Sequence, residues 1–355
     1  MSGLLSRLGV RLPIIQAPMA GTSTPQLAAA VTEAGGLGSI ALGAVDAAAG
    51  REMIAAVRRG TNGPFNVNLF CHRPARSDPT LNAGWLAALA PTFASFGAAP
   101  PAAISEIYTS FAADAEMLAM LEETRPPVVS FHFGLPPAAA IARLKSTGAL
   151  LLATATSLAE AQASVAAGVD AVVAQGWEAG GHRGVFEPGA PDGRLGVAVL
   201  TRLLVKQVPV PIIAAGGLMD GAAVAGVLAL GAQAAQLGTA FVACPESSAD
   251  SYHRDALMGP GAVATEMTDL ISGRPARCLP NAFTALSETL QATPRPDYPI
   301  AYDAGKALAA AARARGDGRY GAQWAGQGAP LARALPAAAL MAALERELEL
   351  ARRPS

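Results

Sequence analysis

Residues 150–175, LLLATATSLAEAQASVAAGVDAVVAQ, spell out one complete strand–helix–strand unit. Leu150 to Ala155 is a short apolar run of the length and composition of a strand buried on both faces. Ser157 stands where a helix N-cap is wanted and Gly168 where that helix stops. Ala171 to Gln175 is a second apolar run. Strands joined through a helix run parallel, because a hairpin is too short to carry the crossover.

The unit repeats in both directions along the chain. Upstream, Ile14 to Met19 precedes a helix that opens at Thr24-Pro25 and ends at Gly35-Gly36. Leu37 to Leu42 leads to a helix from Asp46 to Arg59, then come Phe65 to Phe70 and Val128 to Phe133, with a short helix from Pro136. Downstream lie Pro211 to Ala215, with Asp220 capping the next helix, and Ala234 to Phe241. Eight such units predict an α/β protein, a (β/α)₈ TIM barrel with a smaller second lobe over its C-terminal mouth. The expected division is 1–72 for the first part of the barrel, 73–103 for an insertion that contributes to the second lobe, and 104–244 for strands four to eight. The second lobe is expected at 245–318, and a C-terminal segment returning to the barrel at 319–355, including a helix within Leu331 to Arg352.

Composition narrows the class. Of 355 residues, 52% are hydrophobic and 15% charged, which favours a large core over disorder. Net charge is −1, with no basic run, so nucleic acid and anionic membranes are poor partners. Gly221 to Ala243 carries no charge, but its four glycines and two glutamines break it into a helix and a strand instead of a membrane span. Cys71, Cys244 and Cys278 share no CxxC spacing, so a reducing, cytoplasmic setting without disulfides or zinc is expected. Gly35-Gly36-Leu37-Gly38 stands between a helix and a strand, the wrong order for a dinucleotide fingerprint.

A barrel of this kind reacts at the C-terminal ends of its strands. His72, His132 and His182 fall there, as do Gln16, Asn68 and Gln175. A three-histidine metal site is a competing reading, but partner carboxylates are not evident, and no metal is expected. The loop Gly176 to Gly184 has four glycines in nine residues, which let backbone approach a ligand while His182 enters from the side. A neutral imidazole there can act as a base. Ala214-Ala215-Gly216-Gly217 and Leu237-Gly238-Thr239 lie where barrels commonly bind phosphate. Tyr298, Tyr302 and Lys306 have the i, i+4, i+8 spacing of one helical stripe that suits a small anion, leaving Asp303 facing solvent.

Gln16-Ala-Pro-Met19-Ala-Gly21, Asn68-Leu-Phe-Cys-His72, Ser130-Phe-His132-Phe-Gly134 and Glu178-Ala-Gly-Gly-His182-Arg-Gly184, together with Trp324-Ala-Gly-Gln327, resemble the class I nitronate monooxygenases, once called 2-nitropropane dioxygenases. The resemblance runs from residue 13 to about residue 331; it departs at Gly21-Thr22, where a second glycine is expected. It implies FMN and the oxidation of alkyl nitronates by O₂, with propionate 3-nitronate as the substrate and a flavin semiquinone on the way. It implies His182 as the catalytic group, and Tyr108, His132, Tyr298, Tyr302 and Lys306 facing the substrate. The flavin positions it carries over are Gln16, Ala17, Met19, Asn68, Gln175, Gly180, Gly181, Ala215, Gly217, Gly238, Thr239, Ser287, Trp324, Gly326 and Gln327. Arg183 is expected to brace the loop. Two readings stay open beside it: an NAD(P)H-dependent FMN quinone or enoyl-thioester reductase, and a flavin- or phosphate-binding protein without turnover. A monomer or homodimer is expected in either case.

Overall fold

The computed structural model describes residues 3–353; the first two and last two residues, part of the expected first barrel segment and C-terminal segment, lie outside the described residues. Eight strands form one parallel sheet: β1 Ile14–Gln16, β2 Gly38–Ala41, β3 Phe65–Phe70, β4 Val128–His132, β5 Leu150–Ala155, β6 Ala171–Gln175, β7 Ile212–Ala215 and β8 Ala234–Leu237. β1 pairs with β8, and β2 to β8 pair in chain order. A bridge between Ile15 and Leu37 brings the two edges together and closes the barrel. There Leu37 N donates to Ile14 O at 3.0 Å and Gln16 N to Leu37 O at 2.9 Å.

Local chemistry sets the helix starts. Thr24, Asp46, Ser157 and Asp220 accept from the backbone N–H three residues on, and each such cap contributes about 1 kcal/mol. Gly168 ends its helix at φ 93°, a conformation a side chain resists. Packing explains the unbroken apolar runs. Leu152, Ala171, Val173 and Ile213 fill the barrel interior with Leu4 and Leu8 of the N-terminal helix Leu4–Leu8. Their neighbours Leu151, Ala153, Val172 and Ala174 face outward, onto helix residues such as Leu144, Leu200 and Leu204. Both faces are dry, so neither asks for polar residues.

Four strands end earlier than their apolar runs predict. β1 stops at Gln16 and β2 at Ala41, short of Met19 and Leu42. β4 stops at His132 because Phe133 takes φ 72°. β8 stops at Leu237 because Gly238 leaves the extended region and Thr239–Val242 forms a helical turn. The loop after β6 is not simply a loop. Its residues Gly181–His182 form a strand against Ala276–Cys278, which in turn pairs with Glu266–Thr268.

Over the mouth, helix Pro79–Ser95 packs Trp85, Leu89 and Phe93 against Ile300, Ala304 and Leu308 of helix Ile300–Arg313. At the side, the last helix, Ala337–Ala351, buries Leu340, Met341, Leu344 and Leu348 with Val224 and Val227 of helix Gly221–Ala229. Among the described residues no helix is long and apolar enough to cross a membrane.

Gly221 makes the last contact possible. A Cβ there would sit 2.3 Å from Leu348 N and 2.4 Å from Leu344 O. Gly221→Ala should therefore lower the unfolding free energy by about 1–3 kcal/mol, although alanine is the better helix former. Urea denaturation measures it, and an unchanged midpoint would mean that the last helix docks elsewhere.

Candidate active site

The loop after β6 is fastened residue by residue. Gln175, the last residue of β6, donates from Nε2 to His182 O at 3.0 Å and accepts from Gly184 N at 2.7 Å. Arg183 between them is almost fully buried. It pairs with Asp192 at 2.7 and 3.0 Å and donates to Gln175 O at 2.6 Å. Glu178 turns its carboxylate onto Val197 N, at 2.8 and 3.0 Å, and so caps helix Val197–Gln207. Gly180 lies against Gly326, where an added Cβ would come within 2.4 Å of the Gly326 nitrogen.

His182 thereby projects over a cavity of about 870 Å³. Ala17, Met19, Asn68, Gln175, Gly180, Gly181, Ala215, Gly217, Gly238, Thr239 and Trp324 line it, together with Tyr108, His132, His182, Tyr298, Tyr302 and Lys306. The His182 ring centre is 5.2 Å from that of Tyr298, 5.1 Å from Trp324 and 6.0 Å from Tyr302. His182 Nε2 meets Ser272 Oγ at 2.9 Å, and His132 Nε2 meets the His182 carbonyl at 3.3 Å. Lys306 Nζ sits 4.8 Å from the Tyr108 ring centre and 5.4 Å from that of Tyr302. The Tyr298 hydroxyl is buried and has no hydrogen-bond partner among the described residues. A buried O–H left unmade is costly unless a ligand completes it.

The field in this cavity is positive and its bases are neutral. Arg274 is buried, stacks on Phe133 at 4.2 Å and donates to Val185 O, while its Nε has no partner among the described residues. Burial lowers its pKa only to about 10, so it stays a cation at neutral pH. Burial, and then this guanidinium, push His72 and His132 down to about 4 and His182 to about 3. Burial raises Tyr108 to about 12 and Tyr298 and Tyr302 well above the usual phenol value, so all three remain O–H donors. Lys306 is shifted down by partial burial and supported by Asp303.

Four expected residues stand outside the cavity. Gln16 is fully buried in the scaffold: it accepts from Ser39 N at 2.8 Å and donates to Ser23 Oγ at 2.9 Å. Gly326 and Gln327 lie beneath the lining, with their N–H groups given to Thr239 Oγ1 and Glu178 O. Ser287 lines a separate pocket of about 270 Å³ with Asp269 and Arg295. His72, the third strand-end histidine, sits edge-on behind Tyr298 at 5.1 Å instead of in the lining. Among the described residues no three His, Cys, Asp or Glu groups converge as a metal site.

Two local expectations are corrected. Tyr298 precedes helix Ile300–Arg313 instead of riding on it, so the stripe is a turn plus a helix that face one cavity. Asp303 does not simply face solvent, because its carboxylate accepts from Ser105 N at 2.9 Å. Sequence reasoning missed Ser272 and Arg274, which sit in a segment without periodicity, and His253. The strand-end filter discards His253, yet it lines the cavity from helix Ser251–Met258.

Comparison with known proteins agrees with this geometry. A family model described as nitronate monooxygenase matches residues 2–347. A nitronate monooxygenase of Paraburkholderia phytofirmans is 60% identical, over 98% of this chain and 94% of that protein. One of Pseudomonas aeruginosa is 54% identical, over 96% and 97%. Among solved structures, a nitroalkane oxidase from Streptomyces ansochromogenes superposes with a TM-score of 0.90 at 42% identity, covering 98% of both chains. FabK from Thermotoga maritima superposes at 0.75 with 28% identity, covering 99% of this chain and 97% of that one. With this barrel, this loop and relatives matched along nearly its whole length, the chain belongs to the nitronate monooxygenase family.

Proposed function

We propose that the protein oxidises alkyl nitronates with O₂, with FMN as its cofactor and propionate 3-nitronate as the substrate class. The observation that carries this reading is the set of protonated phenols and one ammonium, Tyr108, Tyr298, Tyr302 and Lys306, around one cavity beside His182. A nitronate is a small anion, and O–H and N–H donors in a positive pocket hold such an ion well.

The lining fits a flavin. FMN would be held by backbone and small side chains at Ala17, Met19, Gly180, Gly181, Ala215, Gly217, Gly238 and Thr239, and by the polar groups of Asn68 and Gln175, with Trp324 at the side. Gly326, Gln327 and Gln16 would support that cradle from behind; nothing links Ser287 to it. When bound, the flavin would supply the redox centre, an electron acceptor for the nitronate and, once reduced, an electron donor for O₂. The chain's own groups do the rest. Tyr298 and Tyr302 donate to the substrate's oxygens, Lys306 balances its charge, and Phe133 and Trp324 keep water from the reacting carbon. His132 holds the backbone of His182. His182, held neutral, meets the substrate.

Oxygen consumption by the flavin-loaded enzyme with propionate 3-nitronate tests the proposal. Absence of O₂ uptake, with no change in the flavin spectrum when the nitronate is added anaerobically, would sink it. Bleaching of the flavin by NADH alone would favour a reductase.

Tyr298→Phe removes a hydroxyl that has no partner among the described residues. It should leave thermal stability level or slightly raised, while kcat/KM for the nitronate falls by roughly tenfold, as loss of a hydrogen bond to a charged group predicts. A variant equally active would remove Tyr298 from the substrate's surroundings.

The pH profile follows from His182. Its pKa is lowered to about 3, so the imidazole is already neutral throughout the neutral range and charges only in acid. Activity should therefore show no step from histidine between about pH 5 and 8. A titration near pH 6.5 that disappears in His182→Asn would contradict it.

A further inference from the structure

The two nitrogens of His182 are not equivalent. Nε2 lies 2.9 Å from Ser272 Oγ, which leaves Nδ1 as the nitrogen available to a ligand. Ser272 is fully buried, and its hydroxyl lies 3.1 Å from the Arg274 carbonyl oxygen and 3.4 Å from the Arg274 backbone nitrogen. A hydroxyl has one proton to donate and two lone pairs to accept with. The carbonyl can only accept, so the Ser272 proton goes to it, and the Arg274 N–H is received by one lone pair. What remains for His182 is the other lone pair, and a lone pair binds only an N–H. The reverse arrangement would set the Ser272 oxygen against a buried carbonyl oxygen at 3.1 Å with no hydrogen between them.

We propose that Ser272 is a positioning residue that holds His182 as the Nε2–H tautomer, so that Nδ1 is presented to the substrate as a bare lone pair. The inference rests on His182 meeting the substrate, and it decides what His182 can do there. A bare Nδ1 repels the oxygens of a nitronate and leaves them to the phenols and Lys306. It can accept a proton from the α-carbon of a neutral nitroalkane. In that step the C–H pair becomes the carbon–nitrogen double bond, the nitro group becomes the nitronate, and Nε2–H stays on Ser272. The segment that carries Ser272 and Arg274 thus sets the direction of the imidazole, and its guanidinium adds to the burial that keeps the ring neutral.

Nitrogen NMR of the flavin-loaded full chain, labelled with ¹⁵N at histidine, reads the tautomer directly, because bare and protonated ring nitrogens resonate far apart. The His182 signals are assigned by their loss in His182→Asn. Expected at pH 7 is a protonated Nε2 and a bare Nδ1, and in Ser272→Ala a shift to a mixture or to Nδ1–H. Ser272→Thr, which keeps the hydroxyl, should restore the wild-type pattern. A bare Nε2 in the wild type, or an unchanged pattern in Ser272→Ala, would overturn the proposal; where the alanine variant does not fold, the wild-type spectrum decides. A second reading is kinetic. Ser272→Ala should lower kcat on a nitroalkane by roughly tenfold or more, part of what a positioned base contributes. The KM for propionate 3-nitronate should hold, and a rise of roughly tenfold would show instead that His182 grips the anion through an N–H. A wild type with the expected tautomer but no nitronate turnover would overturn the functional reading and leave the role of Ser272 standing.

Discussion

Gly181 and His182 lie opposite Arg277 and Ala276 in a ladder two residues long, and this pairing ties the barrel to the layer above its mouth. On the barrel side the same segment is held by both ends of the Gln175 amide, with Arg183 sunk between Asp192 and the Gln175 carbonyl. On the far side Ser272 takes the imidazole of His182. A side chain on a glycine-rich loop is ordinarily free to move. Here backbone pairing on one side and side-chain hydrogen bonds on the other fix its main chain, so the imidazole is aimed before any ligand arrives.

Charge follows from the same arrangement. Arg274 enters the mouth from the segment beside Ser272, and its guanidinium lies over the Phe133 ring without a carboxylate among its hydrogen-bond partners. A buried, unneutralised cation lowers the proton affinity of every base around it. Burial first, and this cation second, push three histidines toward neutrality, while burial keeps the phenols protonated. The outcome is a pocket of donors and neutral acceptors that attracts an anion. Phe133 reaches its place by adopting φ 72°, which ends β4 and turns the ring toward both His132 and His182. Non-glycine residues in that region are found where surrounding packing compels them.

Much of the barrel was legible from local pattern. β3, β5 and β6 span the apolar runs residue for residue, and Thr24, Ser157 and Asp220 cap the helices that their positions predict. Strand ends were less legible where one backbone angle decided them, as at Phe133 and Gly238. The site was legible in proportion to its place in the barrel. Residues at strand ends, such as Asn68, His132 and Gln175, could be picked out because the fold assigns that position to chemistry. His253 and Ser272 could not, because nothing local distinguishes them from any other surface histidine or loop serine.

The sequence by itself determined the repeating strand–helix unit, the capping of its helices and the glycine-rich loop that carries His182. These depend on residues within one or two turns of each other, and short-range patterns record them. Only the tertiary structure decided which residues share the cavity and which nitrogen of His182 faces away from Ser272. It also set the Gln16 amide against Ser23 and Ser39, and Ser287 in a separate pocket. Those outcomes depend on contacts across tens to hundreds of residues, such as His182 with Ser272 and Gly180 with Gly326, and no local pattern carries the distance or direction of such a contact.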